Sequence, residues 1–437
     1  MIEAAFSSLF HFIYQFIFVG FFPLFGTVGL GYIAWKLWVH YVQQDFISGI
    51  DFVLLEITPP RDVVRSPKAM ELFISNALYH WSMKGGLEEY WQGAVWFWFS
   101  LEIASIDGQV HFYVRTPSRV RGLIETQMYA QYPQSQIREV KDYTLGVDEI
   151  TPKSAWNGWG CEFQLFDHQA FPLKTYVDFG LDKDPDEEYK VDPISSVIEL
   201  FGSLKKGEQM WMQIIITPMK KEYHTKGTWF GRHDWPAESL IQLRKKLEPY
   251  TNTRTNVLTG HEGLEIRAPK FMDNVIVATS AKTGKLGFET GIRVMYVAKK
   301  EVFDMNNRRN LRMIFRQYAR PDCNRLERKN STQADAYGGI FLIGKKKIML
   351  LANRMLTEYR ERCFFHEPLR QRLLNQSTIR WPLSSMFPWP AYFHSKTFVL
   401  NTEELATLWH FPGQILKVPT LERIESKEAS PPTNLPI

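Results

Sequence analysis

The stretch AVWFWFSLEIASIDGQVHFYVRT, Ala94–Thr116, decides how this chain folds. Two largely apolar runs, Ala94–Ala104 and Gln109–Thr116, flank Asp107-Gly108. An Asp-Gly link between such runs signals a hairpin, because both central residues of the favoured type I′ turn need positive φ. Upstream, Ile50–Ile57 reads as a strand closed by Thr58-Pro59-Pro60. Ser66-Pro67 then sets an N-cap before a first-turn proline and opens a helix to about Trp81. Its Met70, Phe73, Ile74 and Leu78 recur at three and four residues. Downstream, a helix over Ser118–Tyr132 puts Val120, Leu123, Ile124 and Met128 on one face, and a strand runs through Gln136–Tyr143. The order β-α-β-β-α-β is the ferredoxin-like pattern, with its own cap or turn at each element.

Residues 151–208 read as a connection, aromatic at Trp156, Trp159 and Phe163, then acidic at Asp182, Asp184, Asp186, Glu187 and Glu188. A second, degenerate α+β unit is expected over 209–335. Its strands are Gln209–Thr217 and Gly287–Ala298, with a helix from Asp234-Trp235-Pro236 towards Pro249 and another over Asn306–Ala319. Met272–Ala281 fits either a strand or a helix. A C-terminal α+β extension follows over 336–421, with a helical run near Ile348–Arg362, a strand at Thr397–Leu400, and a helix capped by Asn401 with Glu404 at N3. The Pro- and Ser-rich residues 422–437 read as a linker-like tail.

The N-terminus differs in kind. Ala4–Trp35 carries no formal charge; as one helix it would measure about 48 Å, against a hydrocarbon core of about 30 Å. With Pro23, Gly20 and Gly26 as a break, the expectation is an interfacial helix near Phe6–Val19 and a transmembrane helix near Phe22–Tyr41, so that residues 1–47 form a membrane anchor touching lipid through residues 4–41. Lys36, Arg61 and Arg65 beyond it favour a single pass through the inner membrane with a cytoplasmic body. Cys161, Cys323 and Cys363 are few, odd in number and widely spaced, which suits core thiols rather than a disulfide framework or a zinc site.

Net charge is +5, and it is uneven. Lys299–Lys329 holds ten Lys or Arg and four Asp or Glu, a local +6 that leaves the rest near −1. Within it Arg308, Arg312, Arg316 and Arg320 recur every fourth residue and form one stripe on the expected helix, joined by Arg309. Such a stripe suits DNA phosphates, anionic lipid or an acidic partner; a solvated face with local partners such as Asp304 and Glu327 is the plainer alternative. Lys345-Lys346-Lys347 reads as a loop charge run. No catalytic constellation or cofactor is assigned. Lys282-Thr283-Gly284-Lys285 resembles the end of a phosphate loop, but Thr279 stands where its first glycine belongs and Leu286 replaces the hydroxyl that binds magnesium. His261-Glu262 lacks the second histidine of H-E-x-x-H, and Cys363 near His366 is no dyad by adjacency alone.

Six segments, in this order, carry a resemblance: Leu55–Lys68 (LEITPPRDVVRSPK), Phe99–Pro117, Met128–Pro133 (MYAQYP), Ile194–Gln213 (ISSVIELFGSLKKGEQMWMQ), Thr397–Pro412 (TFVLNTEELATLWHFP) and Pro419–Ile437 (PTLERIESKEASPPTNLPI). Together they resemble the membrane-anchored N-terminal region that precedes type IV secretion and conjugation ATPases of the HerA/FtsK class. In such proteins the Pro-Pro-Asn-Leu-Pro tail leads into the motor. The resemblance therefore implies an accessory region without the motor domain, to which the family's ATPase activity does not transfer. It implies a non-catalytic scaffold that docks a separately encoded DNA-pumping ATPase, with DNA and a homo-oligomer, hexameric in the family, as further partners. The alternatives are a membrane-tethered enzyme with an unrecognised site and a nucleic-acid-binding membrane protein that acts without a motor.

Overall fold

The computed structural model describes residues 22–59, 65–79, 86–183, 191–219, 222–224, 232–255, 262–266, 269–332, 344–362, 364–365 and 396–413. The chain divides into two units, Met1–Asp51 with Ser82–Trp96, and Phe52–Trp81 with Phe97–Ile437.

In the first unit, helix α1 (Phe22–Ser48) meets the short helix Gly86–Tyr90 and the turn after it. Trp35 lies 5.8 Å from Tyr90 and Trp38 5.8 Å from Trp91, ring centre to ring centre. The approach is close enough to demand glycine at 93: its φ is +67°, and a Cβ there would sit 2.1 Å from the Val42 carbonyl oxygen. The expected transmembrane anchor is overturned, since no helix among the described residues is long and apolar enough to cross a membrane. At 27 residues α1 has the length. What it lacks is hydropathy. Freedom from charge is not apolarity: Pro23, Gly26, Gly29 and Gly31 bring little transfer energy, and Lys36, His40, Gln43, Gln44 and Asp45 fill its second half. The segment near Phe6–Val19 lies outside the described residues.

The second unit is built on one sheet. Its strands are β1 (Phe52–Thr58), β2 (Phe99–Ile106), β3 (Gln109–Pro117), β4 (Gln136–Val140), β5 (Trp156–Leu165), β6 (Glu208–Pro218), β7 (Gly287–Lys299), β8 (Leu326–Ser331) and β9 (Phe398–Asn401). They run in the order β8-β5-β7-β6-β2-β3-β1-β4, with β9 on β7, and the pairs are antiparallel. The hairpin turns where the sequence places it, with φ of 53° at Asp107 and 85° at Gly108.

The expectation of tandem modules followed by an extension gives way to this single nine-stranded sheet. Two sets of four strands, β2-β3-β1-β4 and β6-β7-β5-β8, meet through the β2–β6 pairing from Phe99↔Ile216 to Ile106↔Gln209. The cause is composition. EQMWMQIIITP is buried at every position of β6, and a strand buried on both faces cannot lie at an edge. The C-terminal strand β9 joins β7 through Gly287↔Asn401 to Thr290↔Phe398, so it belongs to the sheet rather than to an extension.

Helices α2 (Lys68–Phe73, continued by a π turn to Leu78), α3 (Arg121–Gln131), α4 (Pro193–Gly202), α7 (Met305–Arg312) and α9 (Thr402–Leu408) contribute to the large core on one face. Between β6 and β7, α5 (Trp235–Leu247) and α6 (Phe271–Thr283) build a smaller core with Phe171 and Cys323. Met272–Ala281 is thus helical. The other face is covered by α8 (Gly344–Glu361), whose Leu351, Ala352, Met355, Leu356 and Tyr359 pack with Trp156, Trp211, Met295 and Val297. Lys345–Lys347 lies within that helix rather than in a loop. Asn401 and Glu404 form the capping box that starts α9.

Candidate functional site

The arginine segment is not one helix. The α7 helix ends at Arg312; Met313 caps it, and a 3-10 turn covers Arg316–Tyr318. Leu311, Ile314, Phe315 and Tyr318 are buried at the spacing a continuous helix would bury on one face, so the break at Met313 does not come from the apolar pattern. With the helix broken there, the four-residue spacing does not become one stripe. Arg320 is committed to Asp178 at 3.1 Å and Asp322 at 3.4 Å. Arg309 and Arg316 are exposed, whereas Arg308 and Arg312 are half-buried. Arg316 borders an open groove of about 490 Å³ between α4 and this segment, together with Ser196, Leu200, Asn310, Ile314 and Gln317. Asp304 serves as the α7 N-cap, accepting from the Asn306 amide. Among the described residues no carboxylate pairs with Arg308, Arg309, Arg312 or Arg316.

Sequence reasoning missed a second assembly. Arg138, Glu56, Tyr113, Glu102, Gln213, Arg293, Glu162 and Lys329 stand in direct register, one on each strand from β4 to β8, as a polar row across the face beneath α8. Glu56 accepts from Arg138 at 2.8 Å and lies 2.6 Å from His111. Glu102 accepts from Arg362 at 2.8 Å, Gln213 at 3.1 Å and Tyr143 at 2.9 Å. Arg293 donates to Glu162 at 2.7 Å and to the Glu358 carbonyl at 2.9 Å. Arg362, at φ +52°, also reaches Asp142 at 2.5 Å. Charge is matched within the row, and burial pushes the Tyr143 and Tyr359 phenols up, so they stay neutral. The arrangement docks α8 and offers no nucleophile. Its signal in the sequence was one polar residue at an inward position of otherwise apolar strands, as in SLEIAS, MWMQII and GIRVMY.

Acid should loosen these contacts. Burial alone raises the carboxyls of Glu56, Asp142 and Asp192, but His111 and Arg138, Arg362 and Thr144, and His410 with backbone amides outweigh it and hold the three below their ordinary values. Their contribution is complete above the unfolded pKa, about 4, and is lost as pH falls through the lower folded values. Urea midpoints should drop on acidification below about pH 4; midpoints that stay flat there would contradict it.

The Lys282–Lys285 motif is matched internally. It ends α6 and lies against the C-terminal segment: Lys282 is fully buried, 3.0 Å from Glu404, and donates to the Val399 carbonyl at 3.1 Å. Lys285 sits 2.7 Å from both Glu71 and Glu403. These carboxylates occupy the lysines that a nucleotide would need. The purified chain should release no phosphate from ATP, and Lys285→Ala should lower stability by about 1 kcal/mol without touching any turnover. Turnover abolished by that change would restore the phosphate-loop reading. Glu262–Ile266 is a strand, which removes helical H-E-x-x-H geometry; Cys363 and His366 lie outside the described residues. Cys161 and Cys323 are free and buried, and burial pushes the Cys323 thiol up to about 11. Among the described residues no group of three His, Cys, Asp or Glu is placed to hold a metal ion.

The chain belongs to the family described as domain of unknown function DUF8128, whose family model matches residues 55–421. No curated protein and no solved structure matches it.

Proposed function

We propose that the chain is a non-catalytic accessory scaffold of a type IV secretion or conjugative DNA-transfer machine, docking a separately encoded HerA/FtsK-class ATPase at the inner face of the membrane. The observation that carries the reading is the contrast between its charges. Buried Arg293, Arg362 and Lys282 are matched inside the fold, whereas Arg309 and Arg316 face solvent with no carboxylate partner among the described residues. Charge presented outward in this way suits an acidic partner surface. The resembling segments lend support, since they supply β1, the β2–β3 hairpin, α4 with β6, and β9 with α9. Among the described residues no helix is long and apolar enough to span the membrane.

The test is the DNA-dependent ATP turnover of a HerA/FtsK-class ATPase, with and without the chain. Turnover should rise with the chain present, survive Arg320→Gln, and fall back with Arg309→Gln/Arg316→Gln. Turnover indifferent to the chain would count against the scaffold. A second reading, nucleic-acid binding without a motor, is favoured by the same exposed arginines. It predicts duplex binding whose salt slope flattens by up to about 0.9 per lost phosphate contact.

A further inference from the structure

We propose that Arg308 and Arg312 of α7 and Arg328 of β8 form a site for phosphate oxygens between that helix and the edge of the sheet. Arg328 stands directly opposite Phe163 in the β8–β5 register, and cross-strand partners share a face. Phe163 packs on Phe315 at 4.7 Å between ring centres, so this is the face that α7 and its turn cover. Arg308 and Arg312, four residues apart, share one side of α7 and both are half-buried, as is Arg328. The field of Arg312 and of Arg328 reaches both Arg308 and the Cys161 thiol on β5. Burial first, then the charges of Arg312, Arg309 and Arg328, press the Arg308 guanidinium below its ordinary pKa.

The nearby acids are engaged elsewhere. Asp304 caps α7, Glu208 accepts from Tyr296 and Asn307, and Glu327 lies 3.6 Å from Lys329 on the opposite face. Asp178 and Asp322 hold Arg320. Arg308 Nε is buried with no hydrogen-bond partner. Three guanidinium groups half-withdrawn from water beside one another repel unless an anion lies between them, and planar N–H forks match phosphate oxygens two at a time. Arg328 has no place in the expected stripe, so this site goes beyond the docking surface and does not depend on it.

The probe is inorganic pyrophosphate, followed by calorimetry on the full chain. Saturable binding is expected, weakened about tenfold by Arg328→Gln and by Arg308→Gln/Arg312→Gln, the change due to one lost charge-assisted bond, with Arg328→Lys between. Arg320→Gln should change nothing. Thermal melting of each variant separates loss of the site from loss of the fold; an Arg328→Gln protein that melts with the parent and binds as tightly overturns the proposal, as does no binding by the parent. If the oxygens belong to nucleic acid, a short duplex displaces pyrophosphate; if they belong to a small phosphorylated ligand, it does not. Either supports the site. Failure here with an intact motor complex sinks only this inference, and pyrophosphate binding without a motor complex sinks only the docking reading.

Discussion

Replacing Arg293 by Met is expected to destabilise the second unit by about 3–5 kcal/mol, because it leaves the buried Glu162 carboxylate without its cation, whereas Glu358 keeps Arg354 at 3.0 Å. Glu162 and Glu358 lie 2.7 and 3.5 Å from the guanidinium, and all three side chains are removed from solvent. The guanidinium also serves the Glu358 carbonyl, so α8 loses its tie to β7. Desolvation, not Coulomb attraction, decides the sign. The native pair adds little over an apolar one of the same shape, but a lone buried carboxylate must protonate or drag water inward. The double change Arg293→Met/Glu162→Gln should therefore recover much of the loss in guanidinium denaturation. A single variant as stable as the parent would mean that water reaches the polar row and that α8 does not seal it.

Trp409→Ala should cost about 3–5 kcal/mol, in one cooperative transition with the rest of the second unit. Trp409 is fully buried, donates to the Glu102 carbonyl at 3.2 Å, and packs edge-on to Phe112 at 5.9 Å. It thus joins the C-terminal segment to strands more than 290 positions earlier in the chain. If the last described residues were an appended extension, the variant would melt in a separate early step while the sheet persisted, and that result would refute the single-sheet account.

These two residues also show where sequence pattern was informative. Local signals were strong: Asp107-Gly108 needs a tight turn, Asn401 with Glu404 needs a helix start, and the period in Met70–Leu78 needs a helix. The expected β-α-β-β-α-β order rested on them. Pattern could not show which strand lies beside which. The β2–β6 contact joins residues over a hundred apart and is dictated by burial of both strand faces, a property of the assembled sheet. Arginine spacing misled because the helix stops at Arg312, although Leu311, Ile314, Phe315 and Tyr318 are buried at the spacing of one continuous helix face. Absence of charge near the N-terminus misled because apolarity is a sum over side chains, and glycine and tyrosine add little to it.

The docking of a motor ATPase is tested most directly by light scattering on the mixed proteins at a salt concentration near physiological. The account predicts a discrete complex of the chain with a HerA/FtsK-class ATPase, retained by Arg320→Gln and lost by Arg309→Gln/Arg316→Gln. Two proteins that elute at their separate masses, or a complex indifferent to Arg309 and Arg316, would contradict it.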